Sequence, residues 1–285
     1  MIKLKNKHLS VKIEPVGAEL KSILLDGEEK LWQGEQGSWE GTAPTLFPFC
    51  GGLKNGGFTY KGEEYLCDKH GFAKTAEFAV IEKDRRHAVL ELKSNEETRK
   101  KYPFDFIFRV TFTLLRQSIT VKYTVKNTGK DEMYFSCGSH ESYLLENGLE
   151  NYDIIFPHRE SLETCLIEQG LIGEEKLPII KRSEIMPLYE KYLQNDSLVF
   201  ENTAAKKLIL RNRTNGKRIK IEFPDFKYLV IWSLPGKNFV CIEPWAGFPD
   251  RLTHTGEIEK KQGMIRLRAS GKKTLAHKIT FLPTL

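Results

Sequence analysis

The chain has 285 residues, of which 29% are charged and 40% are hydrophobic, and its formal net charge is +6. This composition excludes an intrinsically disordered chain and is typical of an ordinary globular protein. The positive excess is small, and the cationic segment 211–218 has the composition of a hairpin tip without interleaved aromatic residues. A nucleic-acid partner is therefore not expected. A membrane partner is not expected either, because no apolar run approaches the roughly 18 residues that a membrane helix needs.

The five cysteines indicate a reducing compartment. Their number is odd, none forms a C-x-x-C pair, and most lie inside apolar runs. These features favour buried, reduced thiols over a disulfide framework or a zinc knuckle. The first 17 residues lack the continuous apolar segment of a secretory signal. We therefore expect a cytoplasmic protein.

Alternation of apolar and polar residues dominates the chain and predicts half-buried β-strands. The even-numbered residues from Phe106 to Leu114, for example, are all apolar. Strands are predicted, in chain order, at residues 9–14, 88–92, 106–114, 119–125, 207–211, 218–223, 228–233, 239–242, 264–268 and 274–282. The Asn215-Gly216 pair predicts a tight turn between two of these strands.

Helical signals are few. Residues 94–97 have the sequence of a capping box, which predicts a short helix over 96–102 that ends before Pro103. Residues 146–196 show little periodicity and are interpreted as long excursions from the sheets. Many strands with short turns and almost no crossover helices predict an all-β fold, a large antiparallel β-sandwich with few short helices. We expect residues 1–285 to form a single domain.

Four segments lack the pattern of an ordinary strand or turn: residues 43–58, 68–72, 136–143 and 239–250. The first is rich in Gly, Pro and Phe, and such a loop can bring backbone close to a ligand. The last contains Glu243 at the end of an apolar strand. Burial there would raise the pKa of the carboxyl group towards the range useful for a general base. A structural glutamate bound to an arginine or a backbone amide would have the same sequence.

Two histidines, His70 and His140, lie in these segments and are candidates for acid–base chemistry or for structural hydrogen bonds. The other histidines, at positions 8, 87, 158, 254 and 277, fall in polar turns or at exposed strand positions and are assigned no function. No two histidines have the spacing of a metal-binding pair, so no metal site is expected.

Taken together, these segments resemble the aldose 1-epimerase (mutarotase) family, in particular its branch associated with lactose operons. The resemblance is collinear over nearly the whole chain. It rests, in chain order, on Gly17-Ala18-Glu19-Leu20, Ala43-Pro44-Thr45-Leu46-Phe47-Pro48, His70-Gly71-Phe72-Ala73, Tyr102-Pro103-Phe104-Asp105-Phe106, Gly138-Ser139-His140, Asn195-Asp196-Ser197-Leu198 and Ile242-Glu243-Pro244-Trp245. It implies a galactose-mutarotase-like β-sandwich, in agreement with the strand pattern.

The resemblance implies the interconversion of α and β anomers of a free hexose, with no cofactor. Ring opening needs a base at the anomeric hydroxyl and an acid at the ring oxygen. By resemblance, Glu243 corresponds to the base and His140 to the acid, and we expect them to face each other across a gap the width of a pyranose. His70 corresponds to a histidine that binds and polarises the sugar, and Asp196 to an acidic residue that holds its hydroxyl groups. Further substrate contacts are assigned to Lys74, Trp232 and Trp245, with core packing as the alternative for the tryptophans.

Three positions depart from the family pattern. Gly52 lies in a loop where relatives commonly carry arginine, and Lys74 stands where they often have another. Lysine cannot reproduce the planar fork of an arginine. Glu141 follows His140 where relatives have proline, and its charge would raise the pKa of His140 if the two side chains are close.

These departures leave the sugar unidentified and two alternative functions open. One is a non-catalytic carbohydrate-binding sandwich. The other is a mutarotase for a hexose 6-phosphate, whose phosphate would meet Lys54, Lys69 and Lys74. The expected partner is a small-molecule sugar, and the expected oligomeric state is a monomer or a homodimer.

Overall fold

The computed structural model describes residues 1–194, 196–201 and 203–283, and its architecture is built from antiparallel strands. The strands are β1 (Ile2–Lys5), β2 (Leu9–Glu14), β3 (Glu19–Leu25), β4 (Glu28–Glu29), β5 (Gly57–Tyr60), β6 (Glu63–Leu66), β7 (Ala79–Lys83), β8 (His87–Lys93), β9 (Phe106–Leu115), β10 (Ser118–Asn127), β11 (Met133–Phe135), β12 (Ser142–Leu144), β13 (Tyr152–Glu168), β14 (Leu171–Pro187), β15 (Leu198–Phe200), β16 (Lys207–Asn212), β17 (Arg218–Glu222), β18 (Tyr228–Trp232), β19 (Phe239–Trp245), β20 (Ile265–Leu267) and β21 (Lys272–Leu282). The helical segments are α1 (Glu96–Lys101) and 3₁₀ turns at Lys54–Gly56, Ala73–Thr75, Leu149–Asn151, Glu190–Tyr192 and Ile258–Lys260. The prediction of an all-β antiparallel fold with few short helices is confirmed.

The largest sheet has nine strands in the order β14-β13-β16-β17-β21-β10-β9-β8-β7. All of the strands predicted from alternation are present, with small differences at their ends. In β9 the apolar side chains of Phe106, Phe108 and Val110 are buried, as the period of two requires. Burial of each such side chain contributes roughly 1.5–3 kcal/mol to folding, so the alternation fixes which face of the sheet meets the core.

The interpretation of residues 146–196 as excursions from the sheets is wrong. Most of this segment forms β13 and β14, two strands of 17 residues that make a long hairpin at the edge of the nine-stranded sheet. Their pairing register shifts at several points between Ile155 and Ile167. Each shift changes which face the following residues occupy, so no period of two persists in the sequence. Most side chains of the edge strand β14 are also exposed or half-buried, which removes the apolar signal.

The predicted helix is present as α1, but its cap lies one residue later than the capping-box pattern indicates. The side chain of Asn95 accepts a hydrogen bond from the Thr98 amide at 2.8 Å, and the Thr98 hydroxyl accepts one from the Asn95 amide at 2.8 Å. The hydroxyl of Ser94 instead accepts from the amide of Phe106. Asparagine is among the strongest capping residues, and here it displaces the adjacent serine from that role.

A four-stranded sheet in the order β12-β19-β18-β15 carries the apolar segment that includes Glu243. The sequence suggested that Glu243 lies at the end of a strand. β19 continues to Trp245, however, so Glu243 lies inside the strand. Alternation along β19 places Cys241, Glu243 and Trp245 on one face of this sheet. The loop after Pro44 crosses that face, where Leu46 forms an isolated bridge with Gly138.

All five cysteines are buried and unpaired, as predicted. Among the residues that the structure describes, no helix has both the length and the apolar character needed to cross a membrane.

Candidate active site

A cleft of about 610 Å³ opens over the four-stranded sheet. Its volume is within the usual range of small-molecule sites. Every residue predicted as catalytic or as a contact of the free hexose lines it: His70, Lys74, His140, Asp196, Trp232, Glu243 and Trp245. These residues come from distant parts of the chain. The segment after β6 supplies His70 and Lys74, the segments before β12 and β15 supply His140 and Asp196, and the others lie on β18 and β19.

His140 and Glu243 are direct neighbours in this cleft. Nε2 of His140 lies 3.4 Å from Oε2 of Glu243, and both side chains are almost completely buried. Within the described residues, this Glu243 oxygen has no hydrogen-bond partner. The expectation that the two residues face each other across a pyranose-wide gap is wrong: they lie side by side at the base of the cleft.

Burial shifts the pKa values of these two residues in opposite directions. It raises the pKa of Glu243 well above its usual range, and the nearby charge of Lys69 offsets only part of this increase. It lowers the pKa of His140 to about 4. Each group therefore favours its neutral form, since desolvation penalises the charged one. The two shifts together favour the state in which the carboxyl group of Glu243 holds the shared proton and the imidazole of His140 is neutral.

Glu141 does not face the His140 imidazole as a free charge. Its Oε1 lies 2.8 Å from Nε2 of His277, and both residues are buried. Burial raises the Glu141 pKa, but the charge and hydrogen bond of His277, with smaller contributions from other hydrogen bonds, act against burial, and the net shift is downward. The Glu141 charge does raise the His140 pKa, as expected for a close neighbour, but burial of His140 dominates.

The assignment of His277 to an exposed strand position is wrong. His277 is 1% exposed and lies on the same face of β21 as Leu275, Ile279 and Phe281. The period of two along β21 placed it in the core. Its polar character had suggested a surface position, and the buried partner Glu141 was invisible in the sequence.

His70 is held by two hydrogen bonds with Gly51. The His70 amide donates to the Gly51 carbonyl at 2.9 Å, and the Gly51 amide donates to His70 Nδ1 at 3.0 Å. Burial, with a contribution from His140, keeps the pKa of His70 well below its ordinary value, so the ring is neutral. Because Nδ1 accepts a hydrogen bond, the proton of the neutral ring is on Nε2, which leaves an N–H donor for a ligand.

Aromatic rings surround the His140–Glu243 pair. Trp39 stacks on His140 with a centroid distance of 5.3 Å, and Trp232 meets the His140 ring edge-on at 5.8 Å. The Trp245 indole donates to the Ser139 carbonyl at 3.0 Å and fixes the segment before His140. Trp232 and Trp245 therefore both pack against neighbouring residues and line the cleft. Trp39 was not predicted from the sequence, where its only signal is a tryptophan in the glycine-rich segment 34–41.

Charged residues lie at the rim of the cleft. Asp196 lines it with a left-handed backbone (φ 97°), while its sequence neighbour Asn195 lies outside the described residues. Lys69 and Lys74 line it as well, and Lys74 Nζ donates to the Lys69 carbonyl at 2.7 Å. Neither ammonium group forms an ion pair with a carboxylate of the described residues. The third lysine of interest, Lys54, is absent from this lining and donates to the His254 carbonyl at 3.0 Å.

The β13–β14 turn explains one departure from the family pattern. A Cβ atom at Gly52 would lie 2.9 Å from the Gly170 carbonyl oxygen. Gly170 and Ile167 also line the cleft. The long hairpin therefore occupies the space next to residue 52, so a larger residue at this position would require the turn to move.

Comparisons with known proteins agree with this architecture. The family model for aldose 1-epimerase matches residues 1–269. The chain is 31% identical to the plasmid-encoded protein LacX of Lactococcus lactis subsp. lactis, over 99% of both chains. A galactose mutarotase related enzyme from Lactobacillus acidophilus superposes with a TM-score of 0.94 at 30% identity, covering 99% of this chain and 97% of that one.

A galactose mutarotase-like protein from Lactobacillus casei superposes with a TM-score of 0.93 at 28% identity, over 99% of this chain and 100% of that one. The fold is therefore a galactose-mutarotase-like β-sandwich, and the similarity extends across the cleft-forming strands and loops. On the family match and the LacX relative together, the chain belongs to the aldose 1-epimerase family, whose activity is of the mutarotase type.

Proposed function

We propose that this protein is an aldose 1-epimerase that interconverts the α and β anomers of a free hexose by general acid–base catalysis. The observation that carries the proposal is the 3.4 Å contact between His140 Nε2 and Glu243 Oε2. The anomeric hydroxyl and the ring oxygen of a pyranose are bonded to the same carbon. A base and an acid that act on them must therefore be adjacent, as these two groups are.

The proton inventory of the pair fits the reaction. Ring opening removes one proton from the anomeric hydroxyl and delivers one to the ring oxygen, so a pair that holds a single proton can act as acid and base together. In our assignment Glu243 is the base and His140 the acid. A sugar hydroxyl that donates to the unpartnered Glu243 oxygen would favour the carboxylate, and a ring oxygen that accepts from His140 would favour the imidazolium.

The remaining cleft residues would orient the sugar. His70 presents a neutral ring whose Nε2–H can donate to a sugar oxygen, and the Asp196 carboxylate can accept from hydroxyl groups. Trp232 and Trp245 offer apolar surface to the C–H face of the ring. Lys74 contributes a further donor at the rim.

The test is the rate of anomer equilibration of freshly dissolved α-glucose and α-galactose, followed by polarimetry. We expect Glu243→Gln and His140→Ala each to lower the catalysed rate at least about 100-fold, the low end for loss of a general acid or base. His87→Ala is the matched control, because His87 bonds Thr113 on the nine-stranded sheet and does not line the cleft. Unchanged rates in both cleft variants would refute the assignment.

A hexose 6-phosphate is a second candidate substrate. It is favoured by Lys69 and Lys74, two cations at the cleft rim that are not ion-paired with a described carboxylate. Lys69→Met and Lys74→Met should then lower kcat/KM for the phosphorylated sugar at least about 10-fold more than for the free hexose, since each lysine acts as a point charge on the phosphate. Equal effects on both sugars would favour the free hexose. Saturable sugar binding without rate enhancement from about pH 5 to 9 would favour a non-catalytic carbohydrate-binding protein.

We also propose that residues 1–285 form one domain, because a single buried cluster includes residues from Ile2 to Phe281. The cytoplasmic location and the monomeric or homodimeric state stay predictions from the sequence.

A further inference from the structure

Cys241 is a buried thiol that the proposed mechanism does not use. It precedes Glu243 by two residues on β19, so both side chains lie on the same face of the sheet. On that face it is a cross-strand neighbour of Trp232 in β18. The thiol therefore lies directly beside the acid–base pair, at the neighbouring position on the same face of the strand.

Three different metal-binding donors meet at this point. The sulfur of Cys241, a ring nitrogen of His140 and a carboxylate oxygen of Glu243 all lie within 4.8 Å of one another. All three residues are buried, and Oε2 of Glu243, which faces the imidazole, has no hydrogen-bond partner among the described residues. Zinc binds such donors at about 2.0–2.3 Å. The three donor atoms would therefore have to move closer to one another by roughly 1 Å, through side-chain rotation, to bind one ion.

We propose that Cys241, His140 and Glu243 form a binding site for a thiophilic divalent cation of the Zn²⁺ class, and that the bound ion inhibits the enzyme. A thiolate, a carboxylate and a neutral imidazole would balance the charge of the ion, which suits a buried position. The fourth coordination position would face the cleft and take a water molecule. The ion would occupy both groups of the acid–base pair, so metal and sugar would exclude each other.

A second thiol–carboxylate contact, between Cys165 and Glu201, does not form a metal site. Cys165 Sγ donates to Glu201 Oε1 at 3.2 Å, but the third group there is Arg251, which binds both oxygens of Glu201 at 2.7 Å. A guanidinium group cannot ligate a cation and opposes its charge. Cys165 is therefore the matched control for Cys241.

The binding test uses Co²⁺ as a spectroscopic probe and does not depend on activity. Titration of the full chain should produce a near-ultraviolet thiolate-to-cobalt charge-transfer band that saturates at one ion per chain. Cys241→Ser should abolish the band, and Cys165→Ser should retain it. Glu243→Gln should keep the band but weaken Co²⁺ binding at least about 10-fold, because one ligand is lost. Absence of the band in the wild-type protein, or its persistence in Cys241→Ser, would overturn the proposal.

The inhibition rests on the proposed function and is measured separately. Zn²⁺ should slow mutarotation, and saturating hexose should raise the apparent Kd for Co²⁺. Cys241→Ser should keep its uninhibited rate within about twofold and require at least about 10-fold more Zn²⁺ for the same inhibition. If Cys241→Ser does not fold, Cys241→Ala replaces it. A charge-transfer band in a protein with no mutarotase activity would refute the proposed function but support the metal site. Mutarotase activity without the band would support the proposed function and refute the metal site.

Discussion

Gly51 and His70 form two hydrogen bonds with each other. The His70 amide donates to the Gly51 carbonyl, and the Gly51 amide donates to the His70 ring. This contact fixes the ring tautomer that points a donor into the cleft. Gly51 has a left-handed backbone (φ 82°), and a Cβ atom there would lie 2.3 Å from the Pro249 side chain. The orientation of His70 thus depends on the absence of a side chain nineteen positions earlier in the chain.

Replacement of Gly51 by alanine should therefore misplace His70. We expect kcat/KM for the hexose to fall at least about 10-fold, because small errors in positioning are costly in catalysis. Unfolding in urea should show a loss of about 1–3 kcal/mol beyond the control, from the forced shift of packed atoms.

Gly56→Ala is the matched control for this variant. Gly56 has a similar backbone (φ 72°), but a Cβ atom there would have no neighbour within 4 Å, so only the cost of the left-handed conformation remains, about 1–2 kcal/mol. Equal stability and equal kcat/KM in the two variants would show that the Gly51–Pro249 contact is unimportant.

The opposite pKa shifts of His140 and Glu243 predict a broad pH–rate plateau. The active pair holds one proton. A second proton adds to His140 only near pH 4, where the base is lost, and the single proton leaves only above the usual range of a glutamate, where the acid is lost. Polarimetric kcat/KM should therefore have its acid limb near pH 4 and should fall on the alkaline side only above the usual range of a glutamate. An acid limb near about 6.5, the ordinary histidine value, would contradict this interpretation.

Trp39 should control the position of that acid limb. Its ring covers His140 at 5.3 Å, and burial is the main cause of the lowered His140 pKa. Trp39→Ala admits water and should move the pKa upward from about 4 towards the ordinary value, because the imidazolium becomes solvated. The shift can be followed by NMR titration of the His140 ring.

Trp39→Phe keeps a stacked ring and is the matched variant for this experiment. The pKa of His140 in this variant should be closer to that in the wild-type protein than the pKa in Trp39→Ala is. If alanine and phenylalanine at position 39 gave the same titration as tryptophan, the stacking ring would not be the source of desolvation.

The sequence predicted the strands and much of the cleft for different reasons. Strands such as β9 and β10 carry a regular alternation, which any half-buried sheet must show. The hairpin of β13 and β14 was missed because register shifts break its period. His140 and Glu243 were candidates from their local segments and received their roles from a family resemblance. Trp39 was missed because its role arises from a contact between residues 101 positions apart, with no local pattern.

Cys241 illustrates a different limit. Its spacing from Glu243 is visible in the sequence, and strand alternation would place both on one face. The third donor, His140, comes from a separate segment, whereas a metal site can be predicted from the sequence only where cysteines or histidines are closely spaced. A cluster assembled from two segments has no spacing signature until the register of β12 against β19 is known.

A buried ion pair between Lys261 and Asp250 supports the loop that carries Gly51. Lys261 Nζ lies 2.7 Å from Asp250 Oδ1 and also donates to the Phe248 carbonyl at 2.9 Å. Asp250 in turn accepts from the Lys54 amide at 2.9 Å. Removal of the lysine charge would leave a buried carboxylate without its counter-ion, which typically costs about 3–5 kcal/mol.

Lys261→Met should therefore destabilise the protein by about 3–5 kcal/mol in denaturant unfolding. The neighbouring variant Lys260→Met is the matched control: Lys260 is largely exposed and pairs with the half-exposed Glu257, so its loss should cost at most about 1 kcal/mol. The double variant Lys261→Met, Asp250→Asn should recover part of the lost stability, because the uncompensated charge is removed together with its partner. Similar unfolding midpoints for the two single variants would mean that water reaches Asp250 and that the pair does not hold the loop.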